Sequence, residues 1–171
     1  APVSFDCQLD GDAVLGRAGG GMAVFQTAMA YERALVLAFR LGAMQRQLDE
    51  ARRFARRRQV GGTAIAQHQA VSHRIARMYA RLEAARLLTY RAAWALEKQP
   101  RAHLEAALAK WQLADAAVAS ALDAFRLRGG SGYLEDDAEG GELPTLVDAL
   151  GGSIHSGTPD VLANIVAAWL L

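Results

Sequence analysis

Glu32 is the residue of this sequence whose type and surroundings suit acid–base chemistry best. It lies in the segment 29–40, where its neighbours are mostly apolar or small and Arg33 follows directly. A carboxylate in a dry pocket can remove a proton from a substrate, because desolvation raises its affinity for protons. A carboxylate beside an arginine can equally be half of a surface ion pair. The segment alone is compatible with both interpretations.

The segment from Arg52 to Arg58 is a candidate for binding an anion. Five of its seven residues are arginines, whose guanidinium groups can hold a phosphate through paired hydrogen bonds. A helix C-terminus also favours exposed cations, by about 0.3–1 kcal/mol each. That stabilisation accounts for most of the run without any ligand.

Two other kinds of site are disfavoured by what the sequence lacks. The glycine-rich segment 16–21 is not preceded by a strong strand and does not end in Gly-Lys-Ser or Gly-Lys-Thr, so we predict a flexible helix entry rather than a phosphate loop. Metal sites of helical bundles need Glu-x-x-His pairs, and the sequence contains none. His68 and His73 are five residues apart and do not share a helix face. The sequence therefore predicts no metal site.

The composition indicates a domain of packed helices. Of 171 residues 52% are hydrophobic, alanine is the commonest type, and a net charge of +1 gives no general attraction to nucleic acid or membranes. Cys7 is the only cysteine, which excludes an internal disulfide and fits a reducing compartment, so we expect a cytoplasmic protein. The apolar segment 161–171 is about half the ~20 residues that a membrane span needs.

The first residues have the pattern of a single strand. Val3, Phe5, Cys7 and Leu9 alternate with polar residues, and a turn signal follows at 10–12. No second convincing strand follows, and a lone strand has no sheet to join. We therefore expect the chain to be the C-terminal part of a larger protein, or to pair this strand with another chain. The alternative is an irregular extended arm.

The rest of the sequence has helical periodicity. Helices are predicted over the ranges 22–58, 71–96, 101–127, 144–150 and from 158 to the end. Pro100 and the glycines of 129–132 end the second and third helices, and an acidic loop over 135–142 leads to the fourth. These elements predict an all-α fold, an antiparallel up-and-down four-helix bundle with a short N-terminal strand.

Several short motifs occur in an order that is typical of one family. They are Leu15-Gly16, Glu32-Arg33, Leu48-Asp49-Glu50-Ala51, Arg58-Gln59-Val60-Gly61-Gly62, Ile65, His68-Gln69-Ala70-Val71, Ala109-Lys110, Gly129-Gly130-Ser131-Gly132-Tyr133, Asp148 and Gly157-Thr158. Each motif is weak alone. Together, at these spacings, they resemble the C-terminal half of acyl-CoA dehydrogenases, the flavin-dependent enzymes that desaturate acyl thioesters.

The resemblance implies a domain organisation and a set of partners. Residues 1–15 would be the end of a preceding β-domain, and residues 16–171 the C-terminal helical bundle domain. Members of the family bind FAD, usually form homo-oligomers that are tetramers or dimers of dimers, and pass electrons to an acceptor such as an electron-transfer flavoprotein. The implied substrate is an acyl-CoA or an acyl-carrier-protein thioester.

The resemblance also implies polar residues that contact FAD. Arg58 matches the arginine that reaches the FAD pyrophosphate of a neighbouring subunit, and Gln69 matches a glutamine near the adenosine. Arg126 stands where the family usually has glutamine, and we expect it to meet the cofactor phosphates.

Two turns complete the implied FAD site. Gly129 and Gly130 match a glycine turn that lets the backbone approach the cofactor. Thr158 matches a threonine that hydrogen-bonds FAD at the start of the last helix, and Asp160 lies in the same first turn.

The catalytic base of the family occupies one of two positions. Many relatives carry Glu directly before the Gly-Thr pair, but here that residue is Ser156, which cannot serve as a base unaided. A smaller group carries the Glu on the first helix, at the position of Glu32. The resemblance therefore implies that Glu32 abstracts the α-proton while FAD accepts the β-hydride. Pairing of Glu32 with an arginine remains the alternative, and His155 is a third candidate for the base.

Departures from the family pattern keep other functions open. Gly61 stands where an aromatic residue is usual, and Val147 stands where arginine is usual. These differences favour a specialised pathway, with the acyl group held on a carrier protein. One alternative is a flavin-dependent oxidase or monooxygenase on the same bundle. The other is a non-catalytic structural or interaction subunit.

Overall fold

The computed structural model describes residues 2–99, 101–134 and 142–171, and these form helices with one small hairpin. The helices are α1 (Gly21–Leu35), α2 (Ala38–Arg57), α3 (Gln69–Lys98), α4 (His103–Arg128), α5 (Gly130–Tyr133), α6 (Leu143–Gly151) and α7 (Pro159–Leu170). The strands β1 (Gln59–Val60) and β2 (Thr63–Ala64) pair antiparallel, with Gln59 opposite Ala64. The predicted all-α bundle is confirmed.

Helix α4 is the central element of the bundle. It packs against α1, α2, α3, α6 and α7, and its many alanines let these neighbours approach closely on several sides. Around one part of α4, larger side chains such as Met44, Leu82 and Leu113 form the core. Around its beginning the core is built mainly of small residues, among them Ala30 and Ala106. The first helix segment can therefore lie close to α4, which brings residues of both helices to one site.

The first long helix differs from the prediction of one continuous helix over 22–58. It is interrupted at Val36 and Leu37, so that α1 and α2 are separate segments. The side chain of Leu37 is 1% exposed, and a Cβ added at Gly152 would lie 3.4 Å from it. The interruption carries neither glycine nor proline. We attribute it to this tertiary packing, which sequence periodicity does not report.

The predicted N-terminal strand is wrong for this chain. Residues 2–10 have no regular secondary structure, and only a short 3-10 turn at Gly11–Ala13 follows. Val3, Phe5 and Leu9 are each at least 74% exposed. A strand needs a partner for its backbone hydrogen bonds, and none is present among the described residues. The segment is the extended arm of the alternative interpretation, and its assignment to a preceding β-domain stays a prediction.

Two predicted helix ends fall partly on residues that the structure does not describe. Pro100 lies outside the described residues, as does the acidic loop up to its last residue, Glu142. The glycine stop at the end of α4 is seen directly, because Gly129 has φ 60° and ψ −133°. In the described ranges, no helix combines the length and the hydropathy that crossing a membrane requires.

Gly129 is expected to be required for its conformation, whereas Gly130 is not. Substitution of Gly129 with Ala should cost about 1–3 kcal/mol of unfolding free energy, since side chains rarely adopt this backbone conformation. Gly130 is helical, and a Cβ added to it would have no atom within 4 Å. Its substitution with Ala should be neutral or stabilising by up to about 1 kcal/mol. Urea denaturation of both variants checks this, and equal stabilities would contradict it.

Candidate functional site

Glu32 lies on α1 and contacts the segment that connects α6 to α7. The hydroxyl of Ser156 donates a hydrogen bond to Oε1 of Glu32. Within the described residues Glu32 forms no ion pair, so its partner is a hydroxyl rather than an arginine. Glu32 is exposed in this chain. The dry pocket expected around it is therefore not formed by the described residues alone.

The connection that carries Ser156 has an unusual backbone. Ser156 has φ 59° and Gly157 has φ 115°, two successive residues in a region that favours glycine. Nε of Arg33 donates a hydrogen bond to the carbonyl oxygen of Ser156 at 3.1 Å. Nζ of Lys110 donates one to the carbonyl oxygen of Gly157 at 2.6 Å. Two cationic side chains thus hold this turn, one from α1 and one from α4.

Lys110 is a functional candidate to which the sequence analysis gave no role, although it belongs to the motif Ala109-Lys110. Its side chain is 1% exposed, and burial lowers the pKa of its ammonium group, with Arg33 acting in the same direction and Asp115 in the opposite one. A signal was present in the sequence, because Lys98 and Lys110 are the only lysines beside 17 arginines. Lys110 also lies on a helix face of buried residues, which are Ala106, Ala107, Leu113 and Ala114.

The start of α7 follows directly after this turn. Thr158 is the residue before the helix, and its φ of −65° and ψ of 163° are typical of an N-cap. Its side chain makes no capping hydrogen bond. Asp160 lies in the first turn, and both side chains are exposed. His155 is also nearby, with Nδ1 3.4 Å from Oγ of Ser156.

The other predicted cofactor residues gather at the far end of α4. Arg58 directly follows α2 and is exposed, and Arg126 is exposed on the last turn of α4. The guanidinium of Arg128 lies 5.6 Å from the ring centre of Phe54, which brings the ends of α2 and α4 together. Gln69 is exposed at the start of α3, which the β1–β2 hairpin joins to α2.

The two groups of predicted residues are not brought together within one chain. Lys110 lies beside the Glu32 group, and Arg126 belongs to the other group. These positions are 16 residues apart on α4, which corresponds to about 24 Å at ~1.5 Å per residue. The chain therefore presents two separate candidate sites, which we call the Glu32 site and the arginine–glycine end.

A buried ion pair holds together the elements that form the arginine–glycine end. Nε of Arg128 lies 3.0 Å from Oε1 of Glu142, and their side chains are 7% and 6% exposed. Burial raises the pKa of Glu142 above that of an ordinary glutamate, whereas Arg128 opposes the rise and Glu50 adds to it. Arg128 also lies 3.8 Å from Glu50, so this one side chain links α2, α4 and the segment before α6.

The arginine–glycine end has the properties that a phosphate-containing cofactor requires. Arg58 and Arg126 are exposed guanidinium groups, and no atom lies within 4 Å of a Cβ built at Gly129 or Gly130. A phosphate can therefore approach both side chains and backbone. No group of three potential metal ligands is found among the described residues. These features agree with the class that the sequence resembles, the helical domain of flavin-dependent dehydrogenases.

Comparison with known proteins agrees with this class. The family model described as "Acyl-CoA dehydrogenase, C-terminal domain" matches residues 19–171, so the chain belongs to this family. It is 43% identical over 95% of its length to the L-prolyl-[peptidyl-carrier protein] dehydrogenase of Pseudomonas fluorescens, covering 42% of that protein.

Solved structures show the same fold. The prolyl acyl carrier protein oxidase AnaB matches 97% of this chain and 43% of its own, with a TM-score of 0.91 and 34% identity. The FAD complex of PigA matches 91% of this chain and 40% of its own, with a TM-score of 0.85 and 34% identity. The chain thus spans about two fifths of the length of these relatives. The resemblance found in the sequence is confirmed, and the roles of individual residues stay predictions.

Proposed function

We propose that this chain is the C-terminal domain of a flavin-dependent dehydrogenase that desaturates a thioester between its α and β carbons. The observation that carries the proposal is the exposed carboxylate of Glu32, which accepts a hydrogen bond from Ser156. By the resemblance, Ser156 occupies the position at which many relatives carry their base. The departures at Gly61 and Val147 and the carrier-protein relatives favour a substrate bound to a carrier protein over an acyl-CoA. A prolyl group is the first substrate to test.

Glu32 is the proposed base. A thioester acidifies its α-carbon, so a carboxylate held in a fixed direction can take the α-proton. The hydroxyl of Ser156 binds one carboxylate oxygen and leaves the other available for the proton. FAD, when bound, accepts the β-hydride. The solvent exclusion that such a base needs must come from substrate, cofactor or other protein segments, because Glu32 is exposed in this chain.

The FAD-binding residues are proposed to serve two cofactor molecules of a homo-oligomer. Thr158 and Asp160 adjoin the Glu32 site and would contact the FAD used there. Arg58, Gln69, Arg126, Gly129 and Gly130 lie at the arginine–glycine end and would hold the phosphates and adenosine of the neighbouring subunit's FAD. The distance of about 24 Å along α4 supports this division.

The experiment is anaerobic flavin reduction by a panel of candidate substrates. The FAD-loaded protein is mixed with prolyl-loaded carrier protein, butyryl-loaded carrier protein, butyryl-CoA or free proline. We expect bleaching of the flavin absorbance by a carrier-bound thioester and none by free proline. A full-length protein or co-purified complex that is colourless and binds no FAD would instead indicate the non-catalytic subunit.

The same preparation tests the electron acceptor. We propose an acceptor protein such as an electron-transfer flavoprotein, so the reduced flavin should react slowly with oxygen. Rapid reoxidation in air-saturated buffer would favour the oxidase alternative, which is worth testing because AnaB is described as an oxidase.

A further inference from the structure

The turn that orients Glu32 is held by two side chains to which the resemblance assigns no role in the proposed reaction. One of them, Lys110, is fully buried, and among the described residues its amine donates a hydrogen bond to one backbone oxygen, that of Gly157. Burying an amine costs free energy unless its hydrogen bonds are satisfied. A buried lysine at this position therefore indicates a role that outweighs this cost. Its lowered pKa, caused mainly by burial, agrees with this cost.

The contact of Lys110 acts on a strained part of the chain. Ser156 is the only described non-glycine residue with positive φ, and conformations of this kind persist where the surroundings enforce them. The hydrogen bond from Lys110 fixes the carbonyl of the next residue, Gly157, and the hydrogen bond from Arg33 fixes the carbonyl of Ser156 itself. With both carbonyls held, the hydroxyl of Ser156 is directed toward Glu32.

We infer that Lys110 is a positioning residue, which acts through the Gly157 carbonyl and the Ser156 hydroxyl to direct the carboxylate of Glu32. The expected effect of Lys110 on the reaction rate rests on the proposed function of Glu32. Its effect on the geometry of the turn does not. The chain of contacts runs from the buried core of α4, through the turn, to the exposed carboxylate on α1.

The test compares Lys110→Met, Ser156→Ala and the double variant in the FAD-loaded protein. Lys98→Met is the matched control, because Lys98 is the exposed second lysine. We expect each single variant to lower the limiting rate of flavin reduction roughly tenfold, the effect of losing one hydrogen bond to a charged group. The double variant should be no slower than Ser156→Ala, since both act on one contact. Effects that multiply, or a wild-type rate for Lys110→Met, would overturn the inference.

Two further measurements separate positioning from general damage. The half-saturating substrate concentration should stay within about twofold, because substrate binding is not the step affected. A crystal structure of Lys110→Met should show Oγ of Ser156 beyond hydrogen-bonding distance of Glu32, and an unchanged contact would refute the mechanism. This structural result does not depend on the proposed reaction.

Additional variants protect the test against misfolding and against failure of the proposed function. Ser156→Ala and Ser156→Gly both leave the core unchanged. Both should lower the limiting rate of flavin reduction about tenfold, even though glycine relieves the backbone strain at this position. A wild-type rate in Ser156→Gly would remove the hydroxyl from its role. If Glu32→Gln keeps the wild-type rate, the proposed base is wrong. If only Glu32→Gln is slow, the positioning inference alone fails.

Discussion

Glu32→Gln is expected to slow flavin reduction by about 10²–10⁴-fold, the usual contribution of a general base. Gln has nearly the same shape as Glu, and its carbonyl oxygen can still accept the hydrogen bond from Ser156. The fold and the turn should therefore be preserved while the proton acceptor is lost. Rapid mixing of the FAD-loaded variant with the carrier-bound substrate measures the effect directly.

A matched variant and a second reaction make this result specific. Glu97 is an exposed glutamate near the end of α3, and Glu97→Gln should reduce flavin at the wild-type rate. Chemically reduced flavin in Glu32→Gln should react with oxygen as in the wild type, because that reaction removes no α-proton. A rate of flavin reduction in Glu32→Gln within about threefold of wild type would exclude Glu32 as the base, because loss of a general base usually lowers the rate by about 10²-fold or more.

Local signals in the sequence predict those elements whose ends are marked locally. The helix predicted over 71–96 is observed as Gln69–Lys98, and the one predicted over 101–127 as His103–Arg128. A regular seam of apolar residues defines the first, and a glycine with positive φ ends the second. The break at Leu37 could not be predicted in this way, since it depends on a contact with Gly152, more than a hundred residues later.

The candidate site shows the same division between local and distant information. Glu32 can be selected from its own neighbours and from the family motifs, but its partner Ser156 is 124 residues away in sequence. In the sequence Ser156 is notable because it stands where many relatives carry a glutamate base. Nothing in the sequence indicates the hydrogen bond that it donates to Glu32. Lys110 lies 47 residues before the carbonyl that it binds. Such contacts depend on how α1, α4 and the α6–α7 connection pack, which no local pattern specifies.

Arg128→Met is expected to cost about 3–5 kcal/mol of unfolding free energy, the usual effect of removing one partner of a buried ion pair. Glu142 is 4% exposed and would be left without its closest cation. Arg128 also packs over Phe54, so part of the loss is that of a cation–π contact. Arg126→Met is the control, because an exposed arginine two residues earlier should change stability by no more than about 0.5 kcal/mol.

The cause of this loss can be identified by its dependence on Glu142 and on pH. Arg128→Met in a Glu142→Gln background should cost much less, because no buried charge is then left unpaired. Burial already raises the pKa of Glu142 in the folded protein, and loss of Arg128 should raise it further. The folded variant then binds a proton more tightly than the unfolded chain does, so its deficit should shrink as the pH falls toward the ordinary glutamate pKa of about 4.3. Urea denaturation at neutral and acidic pH measures this, and a deficit that is independent of pH would point to lost packing rather than an uncompensated carboxylate.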